Sequence, residues 1–256
     1  MIFVNYLESL DEKPFLHEIR GMNRENIIST PKARVNGLLK NVYLWMTAGL
    51  VLTGIVAYGV ANNMNILARV YSTGGLFAIV IAQLVLVVVL SARINRMSTS
   101  AAIGCFVGYS VLTGLTLSSV FLVYTNVTIS RAFFTTALMF AGMSLYAMTT
   151  KRDLSSWSSI FIMAMWGILI SSLVNLFLKS ETIYYIISIV GVVMFAGITA
   201  WDTQKIVRMN DDYGYGIDEA TYVKLSILGA LTLYLDFINI FLYLVRIFGS
   251  SRSNRS

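Results

Sequence analysis

Seven long apolar runs limit what this chain can fold into. They lie near residues 38–60, 74–92, 101–123, 132–150, 158–178, 183–203 and 223–248. A transmembrane helix needs about 20 consecutive, mostly apolar residues to cross the roughly 30 Å hydrocarbon core of a bilayer, and each run is near that length. The runs are continuous and do not alternate between polar and apolar residues, which argues against membrane-spanning strands. The pattern therefore predicts an all-α integral membrane protein with seven transmembrane helices.

The composition agrees with a membrane protein and excludes several other classes. Only 12% of the 256 residues are charged, whereas a soluble domain has about 25%, so there are too few charges to cover a water-facing surface. The single Cys105 and the single His17 are far apart in the sequence, which leaves no disulfide framework, no zinc site and no Ser–His or Cys–His catalytic pair. The sequence also lacks a glycine-rich phosphate loop and a basic patch with exposed aromatic residues. We therefore expect the lipid bilayer as a partner, but no enzyme activity, no cofactor and no nucleic acid.

The polar ends divide the chain into three parts. Residues 1–37 carry five acidic and five basic side chains, and they are expected to form a solvated cytoplasmic tail, with a partner-docking arm as the alternative. Residues 38–250 are predicted to form the transmembrane domain. Residues 251–256 are predicted to form a second, short tail.

The distribution of basic residues predicts the orientation. With seven spans, 13 of the 19 Lys and Arg residues fall on the side of the N-terminus. Cytoplasmic loops carry the excess of positive charge, so the N-terminus is expected in the cytoplasm. A re-entrant last segment would change the distribution to 16 against 3. We prefer seven full spans because the run from Leu225 to Phe248 is long enough to cross.

Two acidic residues lie within or directly after apolar runs. Asp236 lies near the middle of the last run, where an aspartate costs about 2.5–3.5 kcal/mol on the translocon scale. Asp202 lies at the end of the sixth run, just after its apolar stretch Ile186–Ala200, and if that helix continues to Met209 the carboxylate lies roughly 10 Å inside its end. An intramembrane carboxylate is by default a functional-site hypothesis. The alternatives are a structural hydrogen bond for Asp236 and an interfacial or capping position for Asp202.

The two carboxylates can face each other in the inner half of the helix bundle. Their two runs meet at the cytoplasmic side, where the loop near residues 210–222 joins them. Two carboxylates in a dry site cannot both ionise cheaply, so the pair is expected to take up protons as a unit. We therefore interpret Asp202 and Asp236 as a proton sensor, a cation site, or both.

Other polar residues are candidates for the interior of the bundle. Arg93 is the first charge after the second run, and it is interpreted either as a cytoplasmic anchor or as a latch that pairs with Asp202. Asn175 and Asn239 are expected either to join helices by hydrogen bonds or to line a pore.

Glycines in the third run predict close helix packing. Gly104 and Gly108 form a small-xxx-small pair, and such a pair lets two helices approach closely. We expect packing, not a binding role, at these positions.

Three stretches of the sequence resemble the Bax inhibitor-1 family, also called transmembrane Bax inhibitor motif proteins. They are TGLTLSSVF at 113–121, AGMSLY at 141–146 with TTKRDLS at 149–155, and AWDTQKI at 200–206 with ALTLYLDFINIF at 230–241. The resemblance covers about residues 38–250, and the three stretches are specific when they are taken together.

The resemblance implies a seven-helix fold in which a central last helix is wrapped by the other six. Bacterial members of the family are described as pH-sensitive calcium leak channels, and their two-aspartate sensor falls on Asp202 and Asp236. An arginine at the inner end of the second helix latches to this sensor, and Arg93 is the best match, with Arg96 as the alternative. The long tail with His17 is similar to that of the Gram-negative branch. The implied location is therefore the inner membrane of a bacterium.

The leading hypothesis for the function is a proton-gated leak of cations, with Ca²⁺ as the ion. Ca²⁺ prefers six to eight oxygen ligands, so Asp202 and Asp236 with backbone carbonyls and water would give only a weak transit site. The alternative is a non-transporting regulator that binds and restrains a membrane protease or another integral protein. An intramembrane aspartyl protease is disfavoured because no Gly-x-Gly-Asp pattern precedes Asp236. Proton-coupled exchange is left open.

Overall fold

The computed structural model describes residues 37–213 and 218–249. Most of this part of the chain is α-helical, and it contains no strand. The helices are α1 Gly37–Ala61, α2 Met64–Val70, α3 Thr73–Arg93, α4 Thr99–Val123, α5 Asn126–Thr149, α6 Ser158–Leu178, α7 Glu181–Tyr213 and α8 Glu219–Gly249. All except the short α2 are long and apolar enough to cross a membrane. The prediction of an all-α integral membrane protein with seven spans is confirmed.

The helices extend beyond most of the apolar runs that predicted them. The largest difference is at α7, whose apolar run ends near residue 203 although the helix continues to Tyr213. With 33 residues, α7 is roughly 50 Å long at 1.5 Å per residue, well above the thickness of the hydrocarbon core. The two predicted tails and His17 lie outside the described residues, except for Gly37, where α1 begins.

Polar side chains cap the first turns of several helices. Ser72 accepts a hydrogen bond from the Gly75 amide at the start of α3, and Thr125 caps α5 in the same way. Asp218 Oδ2 accepts a hydrogen bond from the Thr221 amide at the start of α8. The hydrogen bonds from Thr221 lower the pKa of the exposed Asp218 carboxyl below its ordinary value. These side chains satisfy amides that the first turn of a helix leaves unpaired.

The last helix is the most buried of the seven. In α8, 72% of the most apolar window is buried, compared with 11% to 44% in the other six. Large apolar side chains on other helices are instead exposed, as at Phe177, Leu138 and Met163. Exposed apolar surface of this extent is typical of helices that face lipid, and the burial of α8 is what an interior helix requires.

The described residues form two compact units. The first contains residues 37–118, 206–213 and 218–232, and the second contains residues 119–205 and 233–249. The helices α7 and α8 each contribute residues to both units.

In the first unit, α1 packs closely on α4 at Gly114. A Cβ atom at this buried glycine would lie 2.7 Å from Val56 Cβ and 2.8 Å from the Thr53 carbonyl oxygen. At Gly104 a Cβ atom would meet nothing within 4 Å, and at Gly108 it would make an ordinary contact at 3.7 Å. The predicted close approach at the Gly104–Gly108 pair is therefore wrong, because Gly104 is exposed and Gly108 meets Leu86 of α3 only at an ordinary van der Waals distance.

In the second unit, α7 packs against α6 and α8. The centre of the α6–α7 contact is an apolar cluster of Ile168, Ile187 and Met194. Two glycines on α7 make room for aromatic rings. A Cβ atom at Gly191 would lie 2.6 Å from the Tyr243 ring of α8, and one at Gly197 would lie 2.7 Å from the Phe161 ring of α6. These contacts leave little freedom for α7 to rotate about its axis.

Candidate functional site

Within the second unit, polar contacts of Thr203 and Gln204 hold α7 in place. Thr203 Oγ1 lies 3.4 Å from Ser144 Oγ on α5. Gln204 Oε1 accepts a hydrogen bond from the Leu154 amide over 2.9 Å, and Gln204 Nε2 donates one to the Arg152 carbonyl oxygen over 2.8 Å. Thr203 and Gln204 therefore fasten α7 to α5 and to the segment after it, and this determines where the neighbouring side chains of α7 point.

Asp202 forms an ion pair with Lys205 on the same helix. Residues three apart are neighbours on an α-helix, and Lys205 Nζ lies 3.3 Å from Asp202 Oδ1. The same ammonium group lies 3.1 Å from the ring centroid of Trp201, which is a cation–π contact between residues four apart. The side chains of Lys205 and Asp202 are 13% and 9% exposed. The pair is therefore largely removed from water, and removing one partner would leave the other charge buried.

Trp201 supports this arrangement from the side of α6. Its ring lies 6.0 Å from the Phe161 ring, with an interplanar angle of 36°. Trp201 is buried, and its Nε1 atom has no hydrogen-bond partner within residues 37–213 and 218–249. Because a buried indole N–H normally finds an acceptor, this donor marks a further polar position beside the Asp202–Lys205 pair.

Asp236 lies inside the second unit, near the middle of α8. It follows the start of the helix by about 17 residues, roughly 26 Å along the axis, and it is only 4% exposed. The adjacent Phe237 packs against Phe133 and Phe140 of α5, with ring centroids 5.7 Å apart in both contacts. Asp236 Oδ2 is buried and has no hydrogen-bond partner in the described part of the chain. Such an acceptor is suited to a proton, a water molecule or a cation.

The second unit brings these charges into one cluster. Asp236 lies within electrostatic range of both Asp202 and Lys205. With both carboxylates ionised, the three groups carry a net charge of −1, because one ammonium neutralises only one of them. The described residues contain no group of three or more His, Cys, Asp or Glu side chains placed so that they could hold a metal ion together. A metal ion at this position would therefore take most of its ligands from backbone carbonyls and water.

The two predicted asparagines make local hydrogen bonds. Asn175 Oδ1 accepts a hydrogen bond from the Ser180 amide over 3.0 Å, just after Lys179, whose backbone is left-handed with φ of 51°. Asn175 therefore caps the end of α6. Asn239 Nδ2 donates to the Leu235 carbonyl oxygen of its own helix over 2.8 Å.

Arg93 is the last residue of α3, and both it and Arg96 are exposed. Arg93 belongs to the first unit, whereas Asp202 belongs to the second. A latch between Arg93 and Asp202 stays a prediction, as does the alternative latch through Arg96.

Sequence reasoning missed Lys205, which we took for an ordinary loop charge. It was counted only among the basic residues of the cytoplasmic side, although a helix that continues to Met209 already includes it, and α7 continues to Tyr213. The signal was present in the spacing, because Trp201, Asp202 and Lys205 stand at i, i+1 and i+4. On a helix this spacing places the lysine roughly 40° from the tryptophan and 60° from the aspartate.

Comparison with known proteins identifies the family. The family model described as inhibitor of apoptosis-promoting Bax1 matches residues 35–253. The chain is 47% identical over 230 residues to "Inner membrane protein YbhL" of Escherichia coli strain K12, which covers 90% of this chain and 98% of the relative. It is 41% identical over 222 residues to an uncharacterized protein of Borreliella burgdorferi, covering 86% and 94% of the two chains. It is also 35% identical over 237 residues to the uncharacterized protein YrjE of Lactococcus lactis, covering 91% and 100%. The chain thus belongs to the Bax inhibitor-1 family.

Proposed function

We propose that the protein is a pH-sensitive leak channel for cations, with Ca²⁺ as the ion that it carries down its gradient. Asp202 and Asp236 are the groups that take up protons and contact the ion during transit. The site of action is the inner membrane of a bacterium. That location is supported by the seven spans and by the name of the relative from Escherichia coli.

The observation that carries the proposal is that Asp236 is buried and that one of its carboxylate oxygens has no hydrogen-bond partner in the described residues. This carboxylate lies in the most buried of the seven helices. A carboxylate with a purely structural role would be expected to use its oxygens as acceptors. An oxygen without a partner can instead bind a proton or a passing cation, and it can release either one without breaking a structural bond. Weak, reversible binding of this kind is what conduction requires.

The test uses purified protein in liposomes that contain a Ca²⁺-sensitive dye. We expect Ca²⁺ to enter down its gradient, and we expect the rate to change between pH 6 and pH 8. Asp236→Asn replaces the carboxylate with a neutral amide of the same shape, which resembles the protonated acid. This variant should therefore lose the pH dependence of the flux while the protein still folds and inserts.

Asp218→Asn is the matched control. Asp218 is exposed and caps α8, and asparagine is an equally good N-cap, so this variant should retain both the flux and its pH dependence. Flux through Asp236→Asn that varies with pH as in the unchanged protein would refute the sensor role. If the unchanged protein carries no Ca²⁺ above empty liposomes, transport itself is refuted, and the non-transporting regulator becomes the better hypothesis.

A further inference from the structure

The Lys205 ammonium occupies a position that a cation would be expected to take. It lies 3.3 Å from Asp202 Oδ1 and 3.1 Å from the centroid of the Trp201 ring, and it is within electrostatic range of Asp236. We propose that Lys205 is a tethered counter-ion of the Asp202–Asp236 cluster, and that a divalent cation binds both carboxylates only when this ammonium moves away. The inference rests on the proposed function only in taking Ca²⁺ as the divalent ion.

The charges decide which ion the cluster accepts. With Lys205 in place, the two carboxylates and one ammonium sum to −1, so a single proton or monovalent cation neutralises the cluster. Without the ammonium the sum is −2, which matches a single divalent cation. A divalent ion next to Lys205 would also meet direct repulsion, which is strong in a region largely removed from water. Lys205 is therefore the residue that determines whether the cluster favours a proton or a divalent ion.

The side chains differ in how far they can move. Asp202 has a short side chain on a helix that buried contacts fasten through Thr203 and Gln204. Lysine has a flexible four-carbon stem, and its ammonium can move toward water while the stem stays packed. The Lys205 side chain keeps 13% of its surface exposed, so its neighbours do not enclose it completely. Trp201 gives the ammonium a defined position, because the ring centroid lies 3.1 Å from Nζ.

The second indication of a ligand comes from two atoms without partners. Asp236 Oδ2 is a buried acceptor and Trp201 Nε1 is a buried donor, and neither has a hydrogen-bond partner in the residues that the structure describes. Lys205 lies beside one of these residues and within electrostatic range of the other. A hydrated cation would bring both a positive charge for the carboxylate and water oxygens for the indole N–H.

Terbium luminescence can measure binding at this site without any transport. Tb³⁺ binds the oxygen ligands that Ca²⁺ binds, and it emits when a nearby tryptophan absorbs light, so Trp201 serves as the built-in donor. We expect Lys205→Met, which removes the charge and retains the chain length, to bind Tb³⁺ at least about tenfold more tightly than the unchanged protein at pH 7. Ca²⁺ should compete for the same site. Adding Asp236→Asn to this variant should reverse the gain.

Two variants separate the role of the charge at Lys205 from other effects. Lys205→Arg retains a cation beside Trp201, so its affinity for Tb³⁺ should stay within about twofold of the unchanged protein. Lys151→Met removes one charge from an exposed lysine of the same unit and should also leave the affinity unchanged. Equal affinities of the Lys205→Met variant and the unchanged protein would overturn the proposal. A tighter Lys151→Met variant would overturn it as well, because the effect would then be one of net charge.

A measurement on the unchanged protein covers the case in which Lys205→Met does not fold. Reductive methylation followed by mass spectrometry reports how accessible each lysine is. We expect saturating Ca²⁺ to increase the methylation of Lys205 severalfold, because the ion displaces the ammonium, and to leave Lys151 unchanged. Equal methylation of Lys205 with and without Ca²⁺ would overturn the proposal.

The outcomes also distinguish this inference from the proposed function. If the protein carries no Ca²⁺ in liposomes but Lys205→Met gains affinity for Tb³⁺, the transport proposal fails and the counter-ion proposal stands. If Ca²⁺ flux is present and Lys205→Met gains no affinity, the counter-ion proposal fails alone.

Discussion

Replacing each buried aspartate with leucine should change stability in opposite directions. Leucine has the same branching as aspartate, so the two substitutions are matched in shape and differ only in what each carboxylate contacts. Asp236 Oδ2 has no hydrogen-bond partner in the described residues, whereas Asp202 is paired with Lys205 at 3.3 Å. We expect Asp236→Leu to raise the free energy of unfolding and Asp202→Leu to lower it.

The expected magnitudes follow from burial. A buried polar group without a partner costs about 1–3 kcal/mol, and Asp236→Leu removes that cost. Its remaining electrostatic terms oppose each other, because Asp236 is attracted by Lys205 and repelled by Asp202. Asp202→Leu leaves the Lys205 ammonium without its nearest carboxylate. Breaking a fully buried pair costs about 3–5 kcal/mol, but Lys205 keeps its Trp201 contact and some exposure, so we expect a loss of about 1–3 kcal/mol.

The free energy of unfolding can be measured by titrating the protein in mixed micelles with sodium dodecyl sulfate and following the far-UV circular dichroism. Each variant is the control for the other, and the Lys205→Leu single variant together with the Asp202→Leu/Lys205→Leu double variant completes a double-mutant cycle. The double variant should recover most of the loss, since an apolar pair often replaces a buried ion pair at little cost. Destabilisation by Asp236→Leu equal to that by Asp202→Leu would refute the reasoning, because Asp236 would then have a structural partner.

Three further predictions concern packing, the anchoring of α7 and orientation. Gly114→Ala should be less stable than Gly104→Ala by about 1–3 kcal/mol in the same micelle titration, because only Gly114 abuts the backbone of α1 and the gain in helix propensity cancels in the comparison; equal stabilities would contradict the packing. Gln204→Leu removes two hydrogen bonds to the segment after α5, so it should lower the free energy of unfolding by about 1–3 kcal/mol. It should also speed hydrogen exchange at the Leu154 amide, and unchanged exchange there would contradict this hydrogen bond. In intact cells an impermeant thiol reagent should label Lys179→Cys but not Lys151→Cys, because the two residues flank α6 and the N-terminus is expected in the cytoplasm; the reverse pattern would invert the predicted orientation.

The fold was predictable because one strong signal determines it. Runs of about 20 apolar residues have few alternatives to a membrane-spanning helix, so the number and type of the spans followed from the sequence. The packing between helices did not follow. The Gly104–Gly108 pair has the spacing of a helix contact, but Gly114 makes the close contact with α1. Spacing along one helix gives a face, and only the partner helix determines which face is packed.

The candidate site was predictable in part. Asp236 stood out because a charge in the middle of an apolar run is costly, and cost can be judged from one sequence. Lys205 did not stand out, because it was counted only as a cytoplasmic charge and its helical spacing from Trp201 and Asp202 was not considered. Hydropathy locates the hydrocarbon core, whereas α7 extends past it to Tyr213. Polar residues in that last stretch therefore need to be assessed at helical spacing, as neighbours of Trp201 and Asp202.

The contrast between the two aspartates indicates which carboxylate of the cluster is available to a ligand. A carboxylate that stabilises a membrane protein gains from hydrogen bonds that offset its desolvation. Asp202 has such compensation from Lys205, but Asp236 Oδ2 has none in the described residues, in the helix where burial is greatest. Local rules of this kind are broken mostly at functional sites, where a group must be available to a ligand. Asp236 is therefore the carboxylate that a proton or cation meets without competition, and Asp202 becomes available only as its ammonium leaves. Under this reasoning, Asp236→Leu should abolish cation binding even where it makes the protein more stable, and that combination would separate a binding role from a structural one.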